Sequence, residues 1–248
     1  MMSALQWIRS LIFVTVMYIA LLPWGIVFAI PALISRHAAI YCCRSYCWFI
    51  MWFAGWMIGL KCEVRGTPPQ DAVLIAAKHQ SFLDVLMIYS RIPAGRFIMK
   101  DILKYAPIVG QFGMRVGCIP VKRGKRGQAI KQMVADVEAG KLFPGQLIIY
   151  SQGTRIAPGV KAPYKIGTGV LYSELGQDCV PVAANVGVFW PKRGIYRKPG
   201  VAVVEFLPRI PAGLPQREFM AVLESAVERR SDELMAEAGF TAIVHDNS

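Results

Sequence analysis

The chain has 248 residues, enough for one large domain with an appendage, and 54% of them are hydrophobic, above the about 45–50% usual for soluble domains. Its formal net charge of +12, together with this apolar character, favours an anionic membrane surface or a phosphorylated lipid as partner. It carries no zinc-finger spacing, aromatic RNA-binding signature or long basic helix, so nucleic acid is not an expected partner.

The N-terminal segment is apolar. No charged residue occurs between Arg9 and Arg36, a stretch longer than the about 20 residues that cross a bilayer as a helix. A second uncharged run, from Ser45 to Leu60, is short for a span, and tryptophans that favour the headgroup zone recur at every fourth residue in it: Trp48, Trp52 and Trp56. This pattern predicts membrane attachment by one span, a two-helix hairpin or interfacial helices. The alternative is a buried helical pair of the globular core.

From residue 61 onward, short β-rich runs alternate with helical ones. The candidate strands are Val73–Ala77, Arg96–Met99, Val116–Val121, Leu147–Tyr150, Val180–Val186 and Val201–Phe206. Apolar residues at helical spacing predict two amphipathic helices, one with Ile130, Met133, Val134 and Val137 and one with Phe219, Met220, Leu223 and Val227. Such alternation predicts an α/β fold, with a mostly parallel mixed sheet flanked by helices and preceded by the apolar N-terminal helical segment.

A histidine and an aspartate five residues apart, His79 and Asp84, follow the first candidate strand. An imidazole can take a proton from a hydroxyl near neutral pH, and a nearby carboxylate can fix its tautomer. The pair works only if His79 precedes a helix and Asp84 lies in its first turn, since five residues span about 140° on a helix. Alternatively, Ser81 and Asp84 form a capping box that merely starts the helix. Both can hold together.

Two later turns carry groups suited to a phosphate. Arg123 follows the third candidate strand in a basic run. Gly153, Thr154 and Arg155 follow the fourth strand, where backbone N–H groups, a hydroxyl and an arginine fork could cradle phosphate oxygens. The alternatives are a solvated strand-end charge and an ordinary loop.

The order of these pieces resembles the glycerolipid acyltransferase family, particularly the 1-acylglycerol-3-phosphate O-acyltransferases. That family has an Asn-His-x4-Asp block, a Gly-x-x-Phe-Ile-Asp-Arg block, a Phe-Pro-Glu-Gly-Thr-Arg-Ser block and a Val-Pro-Val-like block. The matching residues of this chain, in the same order, are His79 and Asp84; Gly117 and Arg123; Gly153, Thr154 and Arg155; and Val180, Pro181 and Val182. The resemblance covers roughly residues 60 to 210.

The resemblance implies transfer of an acyl chain from acyl-CoA or acyl-carrier protein to the free sn-2 hydroxyl of lysophosphatidate, giving phosphatidate. His79 would act as the base, and Asp84 would orient it. Arg123, Gly153, Thr154 and Arg155 would bind the acceptor phosphate. The alternatives are another lysolipid acceptor, such as a lyso-ornithine lipid or a zwitterionic lysophospholipid, and a non-catalytic protein that binds anionic lipid.

Several residues depart from the family pattern. Lys78 replaces the asparagine before the histidine, and Gln152 stands where the family has glutamate. These two residues and Lys165 are candidates for a supporting role at the site. Glutamine at this position cannot act as a base, and if it only braces the turn through hydrogen bonds, Gln152→Glu should be tolerated.

No bound cofactor is predicted, and no metal, because the six cysteines contain no C-x-x-C pair. The predicted units are residues 1–60, which attach the chain to the membrane, and residues 61–248, the α/β acyltransferase domain. Membrane lipids, the lysophospholipid acceptor and the thioester donor are the predicted partners. The predicted location is a membrane, with the catalytic domain facing the cytoplasm, as at a bacterial inner membrane.

Overall fold

The structure, a computed structural model, describes residues 3–122, 135 and 145–240. Arg123 and the helix predicted around Met133 lie outside these residues. The described α-helices are α1 (Ala4–Ile19), α2 (Leu21–Ile34), α3 (Arg36–Ile58), α4 (Leu83–Arg91), α5 (Val109–Val116), α6 (Ile166–Leu175) and α7 (Gln216–Glu237). The described strands are β1 (Leu60–Arg65), β2 (Leu74–Ala77), β3 (Arg96–Lys100), β4 (Ile119–Val121), β5 (Leu147–Tyr150), β6 (Cys179–Ala184) and β7 (Gly200–Phe206).

The strands form one mixed sheet in the order β1-β7-β6-β2-β5-β3-β4. Strands β6, β2, β5, β3 and β4 are parallel, whereas β7 pairs antiparallel with β6 and β1 pairs parallel with β7. This confirms the predicted fold class. Residue Val116 ends a helix instead of starting a strand, because Gly117 (φ +91°) turns the chain there. The sequence analysis missed β1, an edge strand whose residues are mostly half-buried or exposed.

Helices cover both faces of the sheet, and β2 shows how the two cores divide. Ile75 and Ala77 belong to the cluster packed by α1, α3 and α4, whereas Leu74 and Ala76 belong to the cluster packed by α6 and α7. Successive strand residues point to opposite faces, so a strand covered on both sides must be apolar throughout. Strand β2 is accordingly fully buried.

The apolar N-terminal segment folds into a helical hairpin, in which α1 and α2 form one arm and α3 forms the other. Helices α1 and α2 are separated only by Ala20, and residues Ala4–Ile34 are together long and apolar enough to cross a membrane. Pro23 lacks an N–H group, which removes one helical hydrogen bond near this junction. Helix α3 returns alongside, with the Tyr46 hydroxyl donating to the Met17 carbonyl at 2.6 Å. This length and composition indicate membrane association.

The hairpin lies along the rest of the protein over its whole length. At one end, the Gln6 amide donates to the Arg197 carbonyl at 2.9 Å. At the other end, the Arg115 guanidinium donates to the Ala32 carbonyl at 2.6 Å. Between them Phe13 is fully buried in the same apolar cluster as β2 and β6. The boundary predicted at residue 60 therefore crosses a shared core, and the division into two units stays a prediction.

The opposite side of the hairpin is exposed and apolar. Ile26 is 74% exposed, and the tryptophans of α3 form the predicted stripe on the outer surface, with Trp52 and Trp56 stacked in parallel at 6.3 Å. One side of the hairpin therefore packs on the protein, and the other presents hydrophobic surface to the surroundings.

Candidate active site

The site is built where the parallel strands end. His79 follows the carboxyl end of β2, and the Gly153–Arg155 turn follows the carboxyl end of β5, the neighbouring strand. Ligands of open α/β sheets bind outside the carboxyl ends of the strands, so this edge is where chemistry is expected.

Asp84 lies in the first turn of α4, as the sequence analysis requires. Its Oδ2 accepts the backbone N–H groups of Gln80 at 2.9 Å and Ser81 at 2.8 Å. The Ser81 hydroxyl accepts the N–H of Leu83 at 3.2 Å. The predicted capping box forms only in part: Asp84 accepts the Ser81 N–H, but Phe82 is the N-cap of α4 and makes no side-chain cap hydrogen bond. The carboxylate also gains from the positive end of the helix dipole. Two backbone N–H groups thus fix the Asp84 carboxylate at the start of the helix.

The other carboxylate oxygen of Asp84 meets the histidine. His79 Nδ1 lies 2.9 Å from Asp84 Oδ1; the Asp84 side chain is fully buried and the His79 side chain is 17% exposed. An ionised carboxylate can only accept a hydrogen bond, so Nδ1 carries the proton and Nε2 keeps its lone pair. The geometry is that of a general base held in one tautomer by a buried acid.

Tyr150 packs against the base, a contact that the sequence analysis missed. Its ring is stacked on the His79 imidazole with the centroids 3.8 Å apart. Burial, and then the negative charge of Asp84, raises the pKa of the Tyr150 phenol well above its ordinary value, so the ring stays neutral beside the site. The signal lies in the strand register: Ala77 pairs with Tyr150, which places the residue two positions after Ala77 near this ring.

The turn after β5 is tied to the histidine through the backbone. Gly153 has a φ of +69°, a conformation that favours glycine, and its N–H donates to the Tyr150 carbonyl at 2.8 Å. The N–H of Ile156 donates to the His79 carbonyl at 2.8 Å. The exposed Thr154 and half-buried Arg155 lie between these two anchors. The structure therefore brings three of the predicted phosphate-binding residues to the edge that carries His79.

Arg155 lies on this turn, and the side chains of Lys165 and Lys192 lie beside it, with the Lys192 ammonium donating to the Arg155 carbonyl at 3.0 Å. The Arg155 guanidinium donates to the Lys192 carbonyl at 3.4 Å, and among the residues that the structure describes no carboxylate forms an ion pair with it. The side chain of exposed Lys165 passes Gly153, with its Cγ 3.6 Å from where a β-carbon would stand. The Arg155 guanidinium, which pairs with no carboxylate among the described residues, is available to an anion that approaches the turn.

The other two supporting candidates contact α7. The buried Lys78 ammonium donates to the Glu228 carboxylate at 2.6 and 2.7 Å, and Tyr164 donates to it at 2.9 Å. The Gln152 amide N–H₂ donates to the Ala162 carbonyl at 3.1 Å and lies 3.4 Å from Glu228 Oε1. A glutamate at position 152 would set a carboxylate against two acceptors. From these contacts we expect Gln152→Glu to be destabilising, whereas the sequence alone predicts tolerance.

The structure does not test two of the predictions for the site. Arg123 lies beyond the last described residue of its segment, Lys122, so its position at the site stays a prediction. Within residues 3–122, 135 and 145–240, no three histidine, cysteine, aspartate or glutamate side chains are grouped as a metal ion would need. That the reaction proceeds without metal also stays a prediction.

Comparison with known proteins supplies the wider context. The family model described as Acyltransferase matches residues 61–185. The 1-acyl-sn-glycerol-3-phosphate acyltransferase of Pseudomonas aeruginosa is 27% identical over 95% of this chain and 93% of that protein. The Saccharomyces cerevisiae protein of the same name is 26% identical over 77% of this chain and 65% of its own.

The fold is also that of a solved structure. The 1-acyl-sn-glycerophosphate (LPA) acyltransferase PlsC from Thermotoga maritima is similar with a TM-score of 0.78, covering 92% of this chain and 95% of that one. At 17% identity this likeness concerns the architecture alone. The family model, however, spans half of the sequence and contains the His79–Asp84 pair and the Gly153–Arg155 turn. On that evidence the chain belongs to the Acyltransferase family.

Proposed function

We propose that this protein transfers an acyl chain from an acyl thioester to the free sn-2 hydroxyl of lysophosphatidate, forming phosphatidate. The observation that carries the proposal is the His79–Asp84 hydrogen bond at 2.9 Å, at the sheet edge that also carries Thr154 and Arg155. The Pseudomonas and yeast relatives, named 1-acyl-sn-glycerol-3-phosphate acyltransferases, support this reaction.

The His79–Asp84 pair can serve first as the base and then as the acid of this reaction. Nε2 of His79 accepts the proton of the acceptor hydroxyl while the oxygen attacks the thioester carbonyl carbon. The tetrahedral intermediate collapses, the C–S bond breaks, and the proton on Nε2 passes to the leaving sulfur. Asp84 stabilises the imidazolium between these two transfers. Because the hydroxyl attacks directly, no acyl-enzyme forms, consistent with a sequence that has no G-x-S-x-G elbow.

The acceptor phosphate would bind at the turn after β5. Arg155 offers a planar fork that matches two phosphate oxygens, and the Thr154 hydroxyl offers a third donor. Arg123 is assigned to the same phosphate on the family resemblance, and Lys165 adds positive charge beside Gly153. Lys78 and Gln152 would support the site indirectly by joining the ends of β2 and β5 to Glu228.

Membrane attachment is proposed to be interfacial, with the catalytic domain on the cytoplasmic side. The segment Ala4–Ile34 has 31 residues, roughly 45 Å of helix at 1.5 Å per residue. The rest of the protein contacts the hairpin at Gln6, at Phe13 and at Ala32. A hairpin that crossed the bilayer would draw this polar domain into the hydrocarbon with it. Lying in one leaflet, it exposes its outer face to lipid and keeps the domain in water.

The test is an acyl-transfer assay of the full-length protein in vesicles. Lysophosphatidate, lysophosphatidylcholine and lyso-ornithine lipid would be compared as acceptors, each with acyl-CoA and with acyl-carrier protein as donor. Lysophosphatidate should give the highest kcat/KM. Equal or better rates with either other lysolipid would refute the acceptor assignment, and no transfer to any acceptor would refute the reaction.

The variant Arg155→Ala tests the phosphate contact within the same assay. Loss of a charged hydrogen bond of about 1.5–3 kcal/mol should lower kcat/KM for lysophosphatidate roughly 10- to 150-fold, through a higher acceptor KM. Arg229→Ala is the matched control, because Arg229 is an exposed arginine on α7, on the far face of the sheet. Equal effects of the two substitutions would contradict the role of Arg155.

A further inference from the structure

A second apolar surface lies outside the hairpin, between β3 and β4. The chain there forms a short 3₁₀ helix, Asp101–Tyr105, and then α5. Ile102 is 65% exposed and Tyr105 is 68% exposed. Three further hydrophobic side chains of the segment are also exposed: Leu103, Val109 and Met114. Five exposed hydrophobic residues in one short segment exceed the scattered exposure expected of a solvated surface.

This segment is fastened to the hairpin. The Ile108 side chain packs on Gly25 of α2, where an added β-carbon would stand 3.0 Å from it. The Arg115 guanidinium donates to the carbonyls of Ala32 at 2.6 Å and Leu33 at 2.9 Å. The segment 101–116 therefore lies beside α2, and its exposed residues extend the apolar surface of the hairpin.

The backbone is strained at the point of contact. Ile108 has φ +60° and ψ −65°, and the N–H of Val109 donates to the Pro107 carbonyl at 2.6 Å. These are the angles and the bond of a γ-turn of the rare, strained form. A β-branched residue keeps such a conformation only where its surroundings hold it there. Here the turn directs Ile108 onto Gly25, so the strain is tied to the position of the segment against the hairpin.

The polar residues around this surface suit lipid headgroups. At its border, exposed Lys100 ends β3 and exposed Lys122 follows β4, and Arg115 is exposed beside it. The Lys104 ammonium pairs with Asp101 at 2.7 Å and lies 4.9 Å from the Tyr105 ring centroid, so Lys100, Lys122 and Arg115 are the cations left for phosphates. Tyrosine and long cationic side chains around an apolar patch are typical of the membrane–water interface, where the cations meet anionic phosphates.

We infer that the segment Asp101–Val116 is a second membrane-contacting element, which inserts its apolar side chains into the leaflet that receives the hairpin. The occupant of this surface is the phospholipid bilayer, because the surface continues the hairpin's own. Strand β3 ends at Lys100 and pairs with β5, whose end carries Tyr150. The two elements together set the carboxyl edge of the sheet, and His79 with it, against the lipid. The inference rests on the membrane attachment proposed above.

The experiment places a fluorescent label on single introduced cysteines in the full-length protein, reconstituted into phosphatidylglycerol-containing vesicles with nitroxide-labelled lipids. The positions are Tyr105→Cys in the segment, Ile26→Cys in the hairpin as positive control, and Val222→Cys on α7 as exposed negative control. Burial raises the pKa of Cys118 to about 11 and that of Cys179 to about 12, so these native thiols react slowly at neutral pH. The unsubstituted protein measures the labelling that remains.

The label at residue 105 should be quenched by the lipid nitroxides as strongly as the label at residue 26, and the label at residue 222 should not. Quenching at 26 without quenching at 105 would overturn this inference and leave the hairpin's attachment intact. Quenching at neither position would overturn both. Protection of the 105 label from aqueous iodide without lipid quenching would mean that a second copy of the chain covers the surface, which would also overturn the inference.

Discussion

Replacing Asp84 by asparagine should abolish most of the activity while leaving the fold in place. In the native protein one carboxylate oxygen accepts the N–H groups of Gln80 and Ser81, and the other faces His79 Nδ1 at 2.9 Å. In Asp84→Asn the amide oxygen must take the first position, because only an oxygen can accept those two bonds. The amide N–H₂ group is then left facing the histidine.

The magnitude follows from the tautomer. An N–H₂ group can only donate, so Nδ1 must accept and the ring proton moves to Nε2. The nitrogen that should take the substrate proton is then already protonated. A positioned general base contributes roughly 10²–10⁴-fold, so kcat should fall by about that factor, or about 3–5 kcal/mol of transition-state stabilisation. Raising the pH should not restore the rate, since the tautomer is fixed by the amide.

The assay is the initial rate in vesicles at saturating donor and acceptor, with His79→Ala defining the rate without the base. Asp71→Asn is the matched control: this exposed carboxylate pairs with Arg209 beside the opposite end of β2 and should leave the rate unchanged. A folded Asp84→Asn enzyme with more than about a tenth of the normal rate would refute the reasoning.

Two other substitutions separate structural from chemical roles. Tyr150→Phe should change kcat little because it keeps the ring stacked on His79. The raised phenol pKa contributes stability that is present below pH about 10 and lost above it, so urea titration should show a smaller alkaline loss of stability in the variant. An unchanged loss would contradict this. Gln152→Glu should lower the free energy of unfolding by about 1–3 kcal/mol, because a carboxylate would face the Ala162 carbonyl and Glu228. This loss of stability should shrink as the pH falls and the new carboxylate is protonated. A variant that melts at the same temperature as the parent at neutral pH would refute this prediction.

The sequence predicts most of the sheet because its central strands are continuous apolar runs. Strand β2 is buried on both faces and therefore reads plainly as Val73–Ala77, within one residue of the observed start. Strand β1 lies at an edge, mixes Lys61 and Glu63 with apolar residues, and gives no such run. The approach of His79 to Asp84 is predictable because it depends only on a local turn.

What the sequence did not predict depends on long-range order. The stacking of Tyr150 on His79 requires that β5 be known to lie beside β2. The donors to Glu228 converge from two separate segments, the end of β2 and the connection between β5 and α6. The packing of α1 on the rest of the protein is, however, visible in the sequence. Four buried residues of α1 recur at helical spacing: Gln6, Ser10, Phe13 and Met17. Two polar residues on one stripe of an apolar helix indicate contact with protein rather than lipid.

The bond between Gln6 and Arg197 has a consequence for synthesis. The two residues are 191 positions apart, so the first helix leaves the ribosome long before its permanent partner exists. Until the segment around Trp190 is made, the face of α1 that carries Phe13 can meet α3, as in the stacking of Phe13 on Phe53 at 5.5 Å, but not the Trp190 ring. Chains usually begin to fold from the N-terminus during translation, but the contacts of α1 with Trp190 and Arg197 must wait until most of the chain has been made. The bilayer would cover the apolar surface of the nascent hairpin until the sheet has folded against the inner face of α1.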